Sequence, residues 1–349
     1  MTARVLTARH LNRALLARQM LLERSSARLT DVMERMGGIQ TQYAPAGYIG
    51  LWSRMSGFDR PMLTQALTDR SAIQATIMRA TIHMVSAADY WPMTAGIRRI
   101  RREWFEKVTR RDIAGMDTDA VAAAVRAELA DGPLPMKELT ERMVARGFPP
   151  PAARWAGMWV DLVRVPPSGT WERRRADVYG LADAWLPPVG VTEAEGMAHL
   201  VRRYLGAFGP AAHNDIASWM GASVAQVRGV AESMDLRRLR TDDGIELVDL
   251  PDGALPDPDT PAPPRFIAVW DAMLLVHARR TQVLPEAFRP LIFNTKAPHS
   301  FNTFLVDGQV AGTWRADREE IRLTPLRPLS ADEQQSLDEE AHRLEAFHR

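Results

Sequence analysis

Cysteine is absent from all 349 residues. That excludes disulfides, thiolate nucleophiles and every cysteine-ligated metal site, and it fits a reducing, cytoplasmic home. No apolar run reaches the roughly 18 residues that a membrane span needs, and residues 1–9 lack the apolar core of a secretory signal. Familiar catalytic signatures are missing as well. There is no HExxH, GxSxG, phosphate-binding glycine loop or GxGxxG, and the eight histidines show no metal-ligand spacing. A hydrolase triad, an NTPase and a dinucleotide enzyme therefore gain no support, and neither a metal nor a cofactor is expected. An excess of one charge sign is lacking too, since 44 Lys/Arg stand against 43 Asp/Glu.

The basic charge that is present is gathered locally. Residues 97–111 (IRRIRREWFEKVTRR) hold seven Lys/Arg, among them Arg98, Arg99, Arg101 and Arg102, with Trp104 and Phe105 between them. Arg173-Arg174-Arg175 and Arg237-Arg238-x-Arg240 form two further clusters. Such clusters in a balanced chain suit a phosphate-contacting face, and each on its own equally suits a solvated helix face.

Periodicity and turn residues divide the chain. Leucines 6, 11, 15 and 16 with Met20 recur at helical spacing, and a second helix fits residues 25–36 before Gly37-Gly38. A further helix fits 62–67, and residues 73–85 are β-branched and alternate like one or two strands. Residues 118–130, 136–146 and 152–163 read as helices, followed by a hairpin in 171–186. Three helices and a basic hairpin make a winged helix-turn-helix. The order then repeats with helices at 193–208, 213–220 and 223–234 and a hairpin over 236–250, turning at Asp242-Asp243-Gly244. A Pro/Asp linker at 251–264 precedes a β-rich segment with strands at 266–276, 301–306 and 309–314 and a two-residue turn at Asp307-Gly308. The predicted fold class is α+β: tandem winged-helix modules at 1–115, 116–190 and 191–252, a C-terminal β-barrel at 263–330, and a helix at 331–349.

Gln40-Thr41-Gln42 follows the N-terminal helix pair. Glutamine does not titrate, yet it offers a carbonyl acceptor and two amide donors. By pattern alone the pair is either a catalytic device or a polar helix end. If the segment is extended, both side chains share a face; if it is helical, they diverge.

Four motifs in order carry a resemblance. Gln40-Thr41-Gln42, the segment Met78-Arg79-Ala80-Thr81-Ile82-His83, Trp270-Asp271-x-x-Leu274-Leu275, and the run from Leu305 to Arg315 together resemble the AlkZ-like winged-helix DNA glycosylases. The resemblance runs from near the N-terminus into the last strands. It implies tandem winged helices and a β-barrel forming a C-shaped cleft for duplex DNA, and a monomeric, monofunctional enzyme that removes N7-alkylated guanine. Gln40 and Gln42 match the family's Gln-x-Gln branch, devoted to bulky antibiotic adducts and crosslinks, and would be catalytic. No lysine lies in that motif, so no Schiff-base step is expected. Candidate DNA contacts are Arg79 and His83, expected four apart on one strand face, with Arg98, Arg99, Arg101, Arg102, Arg173, Arg174 and Arg315. Arg79 and His83 equally suit a structural link between the first module and the barrel. Asp307 and Gly308 are either a groove-probing hairpin tip or a plain turn, and Trp314 is expected in the barrel core. Two features depart from the family pattern: residues 297–301 are poorer in glycine, and Trp270 stands where many relatives carry Phe. The competing reading is a winged-helix transcription regulator without catalysis, for which both glutamines would be irrelevant.

Overall fold

A computed structural model of the chain describes residues 4–111, 113, 115–275, 281–294, 299–317 and 320–349. The N-terminal part runs β1 (Arg4–Leu6), α1 (Ala8–Arg18), α2 (Leu29–Arg35), β2 (Ile39–Gln40), α3 (Ala44–Arg54), α4 (Arg60–Thr68), β3 (Ala72–Thr76), β4 (Ile82–Ser86) and α5 (Ala87–Val108). Next come α6 (Thr118–Glu128), β5 (Leu134–Pro135), α7 (Met136–Ala145), α8 (Pro151–Trp155), β6 (Leu162–Arg164), β7 (Val178–Leu181) and α9 (Ala182–Trp185). Then follow α10 (Glu193–Phe208), α11 (His213–Met220), α12 (Val224–Glu232), β8 (Arg237–Thr241) and β9 (Glu246–Asp249). The C-terminal part holds β10 (Arg265–Ile267), α13 (Ala272–Leu275), α14 (Arg289–Ile292), β11 (Phe293–Asn294), β12 (His299–Ser300), β13 (Thr303–Val306), β14 (Gln309–Asp317), β15 (Glu320–Pro325) and α15 (Ala331–His348).

Local chemistry explains many of these boundaries. Thr192 and Glu195 form a capping box at the start of α10, Ser223 and Gln226 do so for α12, and Ser330 and Glu333 for α15. Gly37 and Gly38 take φ of 73° and 82°, which ends α2 and turns the chain into β2.

Six strands in the order β2-β4-β3-β6-β7-β5 form the central antiparallel sheet. This sheet crosses the predicted division at 115/116. Leu162 and Val163, read from sequence as the end of a helix, belong to strand β6, which pairs with both β3 and β7. A short apolar run suits helix and strand alike, and only its long-range partners decide. The hairpin expected within 171–186 supplies one strand, β7, whose partner lies before the loop rather than inside it. A second sheet, β1-β8-β9, joins the N-terminal strand in parallel to Arg237–Thr241.

The described C-terminal strands form an open sheet, β10-β13-β14-β15, beside a separate two-stranded pair, instead of the expected barrel. Here helices cover the sheet: Phe266, Phe304, Trp314 and Ile321 share one apolar cluster with Ile49 of α3 and with Leu337, Ala341 and Leu344 of α15. Trp314 is a core residue, as expected, and its Nε1 donates to the Ile267 carbonyl at 3.2 Å. The strand predicted for 266–276 stops at Ile267. Trp270 takes a φ of 66°, and the Asp271 carboxylate accepts from the Met273 N–H at the start of α13. Val276 and residues 297 and 298 lie outside the described residues.

Helices α5 and α10 cross at paired glycines. A Cβ added to Gly96 would lie 2.5 Å from the Gly196 carbonyl carbon, so both positions require glycine for this approach. The crossing brings α11 against the Met78–Ala80 turn between β3 and β4, and so shapes the site.

Candidate active site and nucleic-acid interface

Gln40 lies in a strand and not at a helix end. It pairs with His83 across β2 and β4, and the Thr41 N–H continues the ladder by donating to the Ile82 carbonyl at 2.8 Å. The Gln40 side chain is 6 % exposed, whereas Gln42 is exposed just before the first turn of α3. Thr41, between them, is buried, and its hydroxyl accepts from Gln74 Nε2 at 3.2 Å.

Arg79 closes over Gln40. Its Nη2 donates to Gln40 Oε1 at 2.8 Å and its Nη1 to the Trp219 carbonyl of α11 at 2.6 Å. The expectation that Arg79 shares a strand face with His83 is corrected here. Arg79 sits in the 3-10 turn Met78–Ala80 with φ of 51°, and Ala80 follows with φ of 55°. Two successive non-glycine residues in this region are strained, as functional turns often are. Burial lowers the Arg79 guanidinium to about 10, which leaves it cationic at neutral pH.

His83 is buried and neutral. Burial, with help from the Arg79 charge, pushes its imidazole down to about 3, and Nδ1 lies 3.0 Å from the Thr81 carbonyl, so Nδ1 carries the proton. Between pH 6.5 and about 3 the unfolded chain takes up a proton at His83 that the folded chain refuses. This residue therefore makes stability fall as pH drops through that window, with no penalty above it. His83→Gln is expected to flatten the acid limb of a melting-temperature-against-pH curve; an unchanged limb would show that His83 does not titrate this way.

The basic loop of the middle segment reaches the same edge. Arg174 Nη1 donates to the Tyr43 hydroxyl at 2.8 Å, next to Gln42, and Tyr43 is 40 % exposed. Arg173 is exposed beside it. The arginines of α5 are mostly engaged within the protein. Arg98 binds Asp161 at 2.8 Å, Arg99 binds Glu193 and Glu103 at 2.6 and 2.8 Å, and buried Arg101 donates to the Thr76 carbonyl at 2.5 Å. Arg102 is half-buried. Arg315 is exposed on β14. Asp307 and Gly308 do form the expected tight turn, with φ of 48° and 77°. Its tip is docked on α1, however. Asp307 accepts from Arg9 and Arg13, and the Gly308 carbonyl accepts from Asn12 Nδ2 at 2.8 Å.

Sequence reasoning missed a buried polar network under Gln40. Arg54, sealed inside α3, donates to both Asp271 oxygens at 2.9 and 3.0 Å and to Gln19 Oε1 at 3.1 Å. Asp271 belongs to one of the four motifs, but nothing local marks Gln19 or Arg54 as its partners. Gln19, Gly38, Gln40, Val269 and Asp271 line a niche of about 10 Å³, the size of one water. Arg79 also borders a larger cavity of about 280 Å³, with Ile97, Ile100, Trp104 and Met220. Among the described residues no cluster of metal-ligating side chains occurs, and no helix is long and apolar enough to cross a membrane.

A family model described as DNA glycosylase AlkZ-like matches residues 33–347. The chain belongs to the AlkZ-like DNA glycosylase family. It is thus a DNA glycosylase, an enzyme acting on DNA, and the regulator reading is set aside. The AlkZ-like fold is seen directly in a solved structure, Streptomyces sahachiroi DNA glycosylase AlkZ, with a TM-score of 0.82 at 20 % identity. The similarity covers 99 % of this chain and 97 % of that one. No curated protein matches the sequence of this AlkZ-like chain.

Proposed function

We propose that this glycosylase hydrolyses the N-glycosidic bond of N7-alkylated guanine in duplex DNA, including bulky natural-product adducts and interstrand crosslinks, in a self-resistance role. One observation carries this reading: among the described residues, no group around Gln40 is placed to donate a proton to a leaving base near neutral pH. His83 is held neutral, Arg79 stays cationic, and both Asp271 oxygens are engaged by Arg54. The departing base must therefore be primed beforehand. Alkylation at N7 does this by fixing a positive charge on the purine.

The step then needs little acid. The C1′–N9 bond breaks and its electron pair neutralises the purine cation. A water oxygen bonds to C1′ of the oxocarbenium-like sugar and releases a proton to solvent. The amides of Gln40 and Gln42 orient that water against the sugar.

The niche at Gln40 has room for one water at most, whereas an extruded base needs a pocket of about 300 Å³. This favours excision without full extrusion, and the neighbouring 280 Å³ cavity offers room for an aromatic substituent. On this reading the protein works as a monomer, with its helix-turn-helix units lining a C-shaped cleft. Arg173, Arg174, Arg315 and the free capacity of Arg98, Arg99 and Arg102 face the backbone phosphates, whereas Arg79 and Arg101 are turned into the protein. Asp307 and Gly308 act as a clamp on α1 and are left out of that surface.

The deciding assay measures release of 7-methylguanine, and of a bulky intercalating adduct, from alkylated duplex. Release of both is expected, and release of neither rejects the proposal. A complex with the lesion fully extrahelical in a closed protein pocket would reject the non-extruding route.

A further inference from the structure

We propose that Arg79 is a positioning residue that fixes the direction of the Gln40 amide, so that Gln40 meets the substrate water through its N–H donors while Gln42 supplies the carbonyl acceptor. The inference rests on the glycosylase reading above and divides the labour between the two glutamines.

A guanidinium can only donate. The Gln40 atom 2.8 Å from Arg79 Nη2 must therefore be Oε1, and turning the amide over would set N–H against N–H. Arg79 is itself anchored, because its Nη1 donates to the Trp219 carbonyl at the C-terminal end of α11. The strained turn at Arg79 and Ala80 holds the side chain in that path, with Gly221 of the helix-turn-helix lying against it. Gln40 Nε2 makes no hydrogen bond among the described residues, so two donors remain for what binds at the strand edge. Gln42 is exposed. A water there accepts from Gln40 Nε2 and donates to Gln42 Oε1, which leaves one oxygen lone pair aimed at C1′. The amide's direction also depends on the seating of α11 against the Met78–Ala80 turn, which links duplex engagement to the chemistry.

Three variants test this on 7-methylguanine-containing duplex, with single-turnover rate, duplex affinity and its salt dependence as readouts. The carboxylate introduced by Q40E can still accept from Arg79 but cannot donate, so Q40E is expected to be as slow as Q40A, both about 100-fold below the native protein. R79M is expected to slow release about tenfold or more, with the salt slope unchanged, and to add nothing in a Q40A background because it acts through that residue. If R79M does not fold, R79K takes its place in the same cycle. A Q40E rate near the native value overturns the donor role. Slowing by R79M that multiplies with Q40A, or a salt slope reduced by about one, makes Arg79 a structural or phosphate-contacting residue instead. A native protein that releases no base would sink the N7-guanine reading itself, a result separable from these.

Discussion

Replacing Gln40 and Gln42 together by alanine lowers single-turnover release of 7-methylguanine by about 10³-fold and leaves duplex affinity within about threefold, because affinity rests mainly on phosphate contacts. On the proposed mechanism the two amides share one water, so the single variants should each lose about 10²-fold and fail to add. Gln40 contributes a fixed amide, locked between the β2–β4 ladder and Arg79; Gln42 contributes an exposed one at the start of α3. Neither ionises, so neither loss should depend on pH through the replaced side chain. A double variant within tenfold of the native rate would move the chemistry elsewhere, and the Asp271 carboxylate in the adjoining niche would become the first residue to examine.

Arg54→Met is expected to destabilise the fold by about 3–5 kcal/mol in urea unfolding, the usual penalty for stranding one partner of a buried ion pair. The Arg54 side chain is fully buried and Asp271 nearly so. Removing the guanidinium leaves the Asp271 carboxylate and Gln19 Oε1 without their partners. Neutralising the acid as well, in R54M/D271N, should recover much of the loss, because the uncompensated charge is then gone. A cost for R54M below about 1 kcal/mol, the range of ordinary surface changes, would show that water reaches the pair. The same variant should slow base release, since Asp271 and Gln19 form the wall of the Gln40 niche.

Much of the local structure was legible from the chain alone. The helices at 193–208 and 213–220 begin and end where the sequence placed them, because the Thr192 capping box, Gly209-Pro210 and the left-handed Gly221 act within a few residues. Asp307-Gly308 is a tight turn for the same reason. Residues 73–85 became two strands, β3 and β4, although the turn between them took Arg79 out of the strand it was expected to share with His83. Leu162 and Val163 were misread because an apolar run of that length has no period of its own, and the strand exists only through β3 and β7. No local signal could pair Arg4–Leu6 with Arg237–Thr241 across most of the chain.

The site divides in the same way. Residue types that cannot titrate, the lack of cysteine and the order of the motifs were properties of the sequence, and the proposal of a substrate that is already primed starts from them. That Gln40 lies in a strand and not at a helix end was settled by pairing with β4, and the neutrality of His83 by its burial. Partners distant in sequence also committed Arg98 and Arg99 to Asp161 and Glu193, and folded the Asp307-Gly308 tip onto α1. Caps, turns and periodicity depend on neighbours a few residues away, so the sequence determines them by itself. Burial, ionisation and the direction of an amide depend on atoms brought together from opposite ends of the chain, and only the tertiary structure decides those.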